Sequence, residues 1–215
     1  MQLFHANRQW STRPADERFP SLEAMRSACH GYFTTAREAT VPYADLRVAA
    51  EGDDLRLVGK AGVPARLTHY AFGQLASRVQ APAQYLRALP ATLAAQNLNY
   101  GLANRSTDGS VAKLLVHANG DLLVRATTSE LYQRVWNWEG CDRLLDLAAR
   151  QAMAPARPTF NRIDGHDWPS LYASDHDMFA FLMSEQREVR GPLGEALFRG
   201  VIAVNSEVGD SALKF

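Results

Sequence analysis

Residues 111–127 read VAKLLVHANGDLLVRAT. The Asn119-Gly120 pair is a strong hairpin signal, because both central residues of a type I′ turn need positive φ. A two-residue loop would pair His117 with Leu122, Leu115 with Val124 and Lys113 with Ala126. Apolar residues then fall on both faces of the strands Val111–His117 and Leu122–Thr127. A hairpin that is apolar on two faces has to be covered on two faces. The chain therefore needs material on either side of a sheet.

The flanking sequence predicts that material. Thr68 can cap a helix with Tyr70, Ala71, Leu75 and Val79 on one side. Pro82 suits the first turn of a second helix reaching Leu89. Pro90 interrupts again, and Ala91 to Leu102 reads as a third helix, so residues 67–103 form a helical block. Upstream, Ser21 opens a helix ending at Gly31, and Phe33 to Val41 reads as a strand. Leu46–Val48 and Leu55–Val58 flank Glu51-Gly52-Asp53-Asp54, a second hairpin signal. Downstream, Thr127 and Glu130 form a capping box for a helix through Trp138. Gly140 is expected to break it, and Asp142 to open another helix reaching Met153. Residues 154–170, with Pro155, Pro158, Gly165 and Pro169, read as a linker. A last helix is expected from Asp175 to Arg190, before a closing strand around Val201–Val204. This order predicts an α+β fold in which antiparallel hairpins form a mixed sheet packed with a central helical block. The expected organisation is an arm over 1–20, a core over 21–153, the linker, and a helix–strand segment over 171–215 that packs on the core.

Apolar residues make up 47% of the 215-residue chain and charged ones 21%, which suits a packed core rather than disorder. Two cysteines, Cys29 and Cys141, make neither a disulfide framework nor a zinc quartet, and suit a reducing cytosol as buried structural thiols. No segment has the length of a membrane span, and the N-terminus lacks the regions of a signal peptide, so a cytoplasmic protein with no membrane partner is expected.

The net charge of zero conceals an uneven distribution. Residues 60–135 carry 8 basic and 3 acidic groups, and residues 136–215 carry 8 and 12. No Asp or Glu occurs from Leu55 to Thr107, a stretch that holds Arg56, Lys60, Arg66, Arg78, Arg87 and Arg105. Converging basic side chains on such a stretch make an electropositive surface. Codon bias is the competing explanation, since the 23 basic residues are mostly arginine. Tyr70, Phe72, Tyr85, Tyr100, Tyr132, Trp136 and Trp138 accompany the basic region. Most of these rings are expected in the core, and some can stack on unpaired bases.

Familiar catalytic motifs are absent: no Gly-rich dinucleotide turn, P-loop, HExxH, CxxC or GxSxG. The densest polar cluster is Asp164, His166, Asp167, Asp175, His176 and Asp177, a set of oxygen and imidazole donors suited to a divalent metal. Ser174-x-x-Asp177 is equally a helix capping box, which is the reading preferred here. Gly59-Lys60-Ala61-Gly62 has the spacing of a phosphate-clamping GxxG loop but follows a strand, so it reads as a flexible loop. Residues 67–90 have the rhythm of a helix-turn-helix presenting Gln84 and Arg87, although paired helices at a proline are common without a DNA role.

Four blocks carry a family resemblance: Leu67 to Leu98, with LTHYAFGQLA and APAQYLRALP; Arg125 to Tyr132; Ser174 to Phe179; and Arg199 through Gly209. In this order and spacing they resemble the phage/plasmid-like proteins, domain-of-unknown-function family 932. The resemblance implies a mobile-element setting and assigns no molecular activity. The family usually continues past Asn205-Ser206-Glu207-Val208-Gly209 into another strand and a Cys-Asn-Gly element. The resemblance therefore implies a truncated member with an exposed or loosely paired C-terminal strand. A more distant similarity, in element order and setting, is to phage single-strand annealing proteins.

The expected function is non-enzymatic nucleic-acid binding in replication or recombination, on single-stranded DNA or another nucleic acid, without a cofactor. Arg66, Arg78, Arg87 and Arg105 are the expected phosphate contacts, Lys113 and Arg125 extend the track, and Tyr85 or Tyr100 stacks on bases. One alternative is a metal-dependent nucleic-acid enzyme using Asp164, His166, Asp175 and Asp177, with Glu207 as a distant ligand. Another is a protein-interaction module antagonising a host system. Homo-oligomerisation is compatible with any of the three.

Overall fold

The computed structural model describes residues 13–105, 109–157, 169–194, 196–211 and 213–214. The fold is α+β, as the pattern of elements predicts. The chain divides into two compact units, one of residues 35–134 and one assembled from the stretches before and after it. Among the described residues, no helix is long and apolar enough to cross a membrane.

Helix α1 (Leu22–Thr35) leads into strand β1 (Ala36–Pro42), so the expected strand at Phe33 begins three residues later. Strands β2 (Arg47–Glu51) and β3 (Asp54–Val58) form the second predicted hairpin, with Glu51 opposite Asp54. Strand β4 (Pro64–Leu67) is followed by helices α2 (His69–Arg78), α3 (Ala83–Ala88) and α4 (Ala91–Arg105). Thr68 caps α2 as its sequence position predicts, its Oγ1 accepting from the Ala71 N–H at 3.1 Å. The NG hairpin is β5 (Val111–Asn119) with β6 (Asp121–Ser129).

These six strands form one sheet in the order β1-β5-β6-β4-β3-β2. All neighbours are antiparallel except β4 and β6. A parallel pair cannot be joined by a tight turn, and the α2–α4 block sits in the chain between them. Leu75 and Leu98 of that block are fully buried, in one core with Val48, Leu57, Ala65, Leu114 and Val124 of the sheet. Each such leucine contributes about 1.5–3 kcal/mol through burial. Asn99 closes the β2 edge like a strand partner: its Oδ1 accepts from Val48 N–H and its Nδ2 donates to Val48 O, both at 2.8 Å.

The NG hairpin departs from its expected register. Asn119 pairs with Asp121, His117 with Leu123 and Val116 with Val124, across Gly120 at φ +86°. A bulge between Leu115 and Val116 then brings Leu115 opposite Ala126. One extra residue on β6 therefore shifts every pair beyond it. Both faces carry buried residues as expected, Leu114 on the helix side and Leu115 on the other. The expected helix from Thr127 is also corrected. Thr127 and Thr128 continue β6, pairing with Leu114 and Lys113, because ladder bonds outcompete a local capping box there.

In the other unit, α5 (Asn137–Gln151) runs through Gly140, which was expected to break it. A Cβ at Gly140 would stand 3.2 Å from Met178 Cε, so glycine there permits a close approach and does not end the helix. Trp136 N–H donates to Glu139 Oε2 at 3.2 Å, tightening the first turn. Helix α5, expected inside the 21–153 core, belongs to this second unit.

Strands β7 (Ala154–Pro155), β8 (Leu171–Ala173), β9 (Met178–Arg190) and β10 (Ala196–Asn205) complete the unit. The expected helix over 175–190 is thus a strand. Met178, Phe181 and Leu182 fit a helical stripe, but Met178, Ala180 and Leu182 also alternate with Phe179 and Phe181. The alternation wins because β10 supplies an apolar partner over the same length: Ile202 opposes Phe181 and Val204 opposes Phe179. Ser174-x-x-Asp177 is consequently the β8–β9 turn and not a helix cap. Ser174 Oγ accepts from the N–H groups of His176 and Asp177, at 3.2 and 3.1 Å. Of the expected exposed or loosely paired C-terminal strand, the loose pairing is corrected, since β10 pairs with β9 from Ala196 to Asn205, while β10 lies at the edge of its sheet with residues 197–200 exposed.

Candidate nucleic-acid interface

The six-stranded sheet has a helix side and an outer side. Leu57 and Ala65 oppose one another and face the helices. Their neighbours Arg56 and Arg66 oppose one another on the outer side by the two-residue alternation. Like charges directly opposite cost roughly 0.2–1 kcal/mol. Glu51 offsets part of that cost from the next strand, its Oε2 lying 2.6 Å from Arg56 Nε. Arg66 is exposed, and among the described residues no ion pair is formed by it.

A cleft of about 250 Å³ opens at the end of these strands. Residues Asp53–Arg56 and Arg66–His69 line its strand side, and Phe72, Leu86, Arg87, Leu89, Ala91 and Ala94 line its helix side. The N-terminus of α2 therefore reaches the cleft at Thr68 and His69, adding the partial positive charge of its amides. Arg87 is held from two directions. It donates to His69 O at 2.7 Å, and its guanidinium carbon lies 4.8 Å from the Phe72 ring centroid. Asp53 and Asp54, both exposed, also line the cleft on its strand side.

Of the predicted phosphate contacts, Arg66 and Arg87 line this cleft. The others do not line it. Arg78 donates to Ser110 Oγ and lies over the Tyr43 ring at 4.7 Å. Lys113 is 3.5 Å from Glu38 and donates to Tyr132 O at 3.4 Å. Arg125 is 5% exposed, and its NH1 lies 3.1 Å from Nε2 of His117. A guanidinium only donates, so that imidazole nitrogen accepts, and the ring proton sits on Nδ1 facing Thr35 Oγ1 at 3.1 Å. Burial, then Arg125 and Arg134, lower the His117 pKa to about 4. The Arg105 side chain lies outside the described residues. Tyr85 and Tyr100 are 59% and 71% exposed, available for stacking.

Of the alternative metal set, Asp164 and His166 lie outside the described residues. Asp177 accepts from Arg13 NH2 at 2.6 Å, Tyr172 OH at 2.9 Å and Ser174 Oγ at 2.5 Å. Asp175 accepts from the His176 ring at 2.9 Å, which raises that imidazole's pKa. Among the described residues, no group of three or more His, Cys, Asp or Glu is placed to hold a metal ion. Glu207 is 2% exposed and accepts from the Asn137 N–H at 2.8 Å, at the first turn of α5. Asn205 donates to Val135 O and Asn137 Oδ1 beside it. The Asn205-Ser206-Glu207 stretch thus works as a tertiary cap, since a carboxylate is stabilised at a helix N-terminus.

Arg56 belongs to the basic stretch but was not among the expected contacts, and neither were His69, Asp53 and Asp54, which also line the cleft. The signal was the pairing of β3 with β4, which juxtaposes Arg56 with Arg66 only once the register is known. Comparison with protein-family models, curated proteins and solved structures finds no match to this chain.

Proposed function

We propose that this chain is a non-enzymatic nucleic-acid-binding protein that grips the phosphate backbone of a single strand at the β3–β4 end of its six-stranded sheet. The observation that carries this reading is that Arg56, Arg66 and Arg87 all line one cleft beside the start of α2. All three come from the stretch that lacks carboxylates in the sequence. The resemblance to phage/plasmid-like proteins supports a mobile-element setting, with replication or recombination intermediates as the natural partners.

The test is fluorescence anisotropy with a labelled single-stranded 20-mer across a salt series. Each phosphate contact with a single strand contributes roughly 0.7 to the slope of log affinity against log salt. Replacing Arg66 and Arg87 together by Ala should therefore lower the slope by about 1.4 while leaving the circular dichroism melt in place. Undetectable binding at low salt, or an unchanged slope in the double variant, refutes the proposal.

A further inference from the structure

We propose that Cys29, Cys141 and Met178 form a binding site for a soft monovalent metal ion, copper(I), in the unit that does not carry the basic cleft. Three elements bring the sulfurs together. Cys29 lies on the buried stripe of α1 with Leu22 and Met25, Cys141 is the fifth residue of α5, and Met178 is the first residue of β9. All three belong to one core and are fully buried. The Cys141 thiol donates to Met178 Sδ at 3.8 Å and is in hydrogen-bond contact with the Cys29 thiol. At the roughly 2.3 Å of a metal–thiolate bond, three sulfurs in a plane around one ion stand about 4.0 Å apart. The Cys141–Met178 pair therefore already has the spacing of a planar three-coordinate ion.

The donor set selects the ion. Thiolate and thioether sulfur are soft ligands that favour copper(I), whereas magnesium and calcium take oxygen. Among the described residues, no His, Asp or Glu makes a metal-binding group with the two thiols. The thioether is thus the third ligand, and zinc, which takes four, is left short. Gly140 admits that thioether: a Cβ there would stand 3.2 Å from Met178 Cε. Gly140 and Asp142, the chain neighbours of Cys141, also line a cavity of about 520 Å³ together with Glu139 and Asp146. Carboxylates raise the local concentration of a cation, so this cavity is the approach for the ion. Binding exchanges protons for metal: two thiols and Cu⁺ give a copper bis-thiolate and two free protons, and the thioether adds a lone pair without losing one. The bond to Cys29 first, then burial, hold the Cys141 thiol above the ordinary thiol range, with Asp142 and Glu207 adding to the effect. Its proton therefore leaves in exchange for the metal. Side chains on a helix lean towards its N-terminus, so the thiolate of Cys141 lies over the first turn of α5, where negative charge is favoured.

The test titrates the reduced full chain with copper(I), without oxygen, against the chelator bathocuproine disulfonate, whose coloured complex reports the copper that the protein leaves. The wild type should retain one equivalent, release two protons per ion in weak buffer, and melt at a higher temperature with copper than without. Cys141→Ala should lose that equivalent. Met178→Leu, a swap of similar volume, should keep the circular dichroism spectrum and surrender copper at a chelator concentration that the wild type withstands. If Cys141→Ala does not fold, Met178→Leu decides. No copper retained by the wild type overturns the proposal and leaves the three sulfurs as core packing alone. Copper held equally well by the wild type and Met178→Leu also overturns it, as does zinc held in preference to copper. The outcome is independent of nucleic-acid binding, which the basic cleft of the other unit would supply.

Discussion

Replacing His117 by Gln isolates the electrostatics of the buried sheet from the rest of the titration curve. In the folded protein the imidazole accepts from Arg125 at Nε2 and faces Thr35 with its Nδ1 proton. Protonation would place a second N–H against the guanidinium, in a site that is 7% exposed. Burial first, then Arg125 and Arg134, hold the pKa at about 4, against 6.5 for the ordinary group. Between those two values the unfolded chain binds a proton that the folded chain refuses, so stability falls as pH falls. The contribution is complete above pH 6.5. It has dropped by about 2–3 kcal/mol at pH 4.5, since one pH unit of difference corresponds to about 1.4 kcal/mol.

Glutamine reproduces the neutral ring: an oxygen to accept from Arg125 and an amide to donate towards Thr35. It does not titrate. Urea unfolding at pH 7.5, 6.5, 5.5 and 4.5 should therefore show two proteins of similar stability at the top of the range. The wild type should lose about 2–3 kcal/mol more than the variant by pH 4.5. Carboxylates elsewhere titrate in both proteins and cancel in the difference. Parallel stability curves would refute the argument, because they would mean that His117 takes its proton as readily folded as unfolded.

Two further substitutions probe packing and capping. Glu207→Ala removes a charge-assisted bond to the first turn of α5 and should cost about 2–4 kcal/mol, with Glu207→Gln costing less, as read by urea melts. Gly101→Ala places a Cβ 2.5 Å from Val79 Cβ, so overpacking of about 1–3 kcal/mol should exceed the roughly 1 kcal/mol gained in helix propensity, lowering the melting midpoint.

The helical block was legible in the sequence because its signals are local. Thr68, Pro82 and Pro90 punctuate it within a few residues of the apolar stripe they delimit. The β2–β3 turn was legible for the same reason. The segments that misled share a different property: two local patterns fit them equally, and a distant strand decides. Thr127–Glu130 can cap a helix, but β5 offers a ladder. Residues 178–190 can carry a helical stripe, but β10 offers an apolar strand of matching length. Gly140 can end a helix, but Met178 needs the space its missing side chain leaves. The candidate site was partly legible for the same physical reason. A carboxylate-free stretch announces surplus positive charge, whereas its convergence depends on strand register and helix placement, which no local pattern encodes.

That distinction bounds what the basic stretch can do. If charge count alone governed binding, all six cations between Leu55 and Thr107 would act together, and the salt slope would approach 4 at roughly 0.7 per contact. The fold divides them. Arg78 is engaged with Ser110 and the Tyr43 ring, while Arg56, Arg66 and Arg87 line the cleft. Three contacts set a slope near 2. Removing Arg66 and Arg87 should then leave the residue of roughly 0.7 that belongs to Arg56. A wild-type slope near 4 would mean that the strand runs on past the cleft to other cations, and the site would have to be redrawn along the surface of the unit. A slope near 2 that falls by two thirds in the double variant ties phosphate recognition to the register of β3 and β4, where Arg56 and Arg66 are set opposite one another.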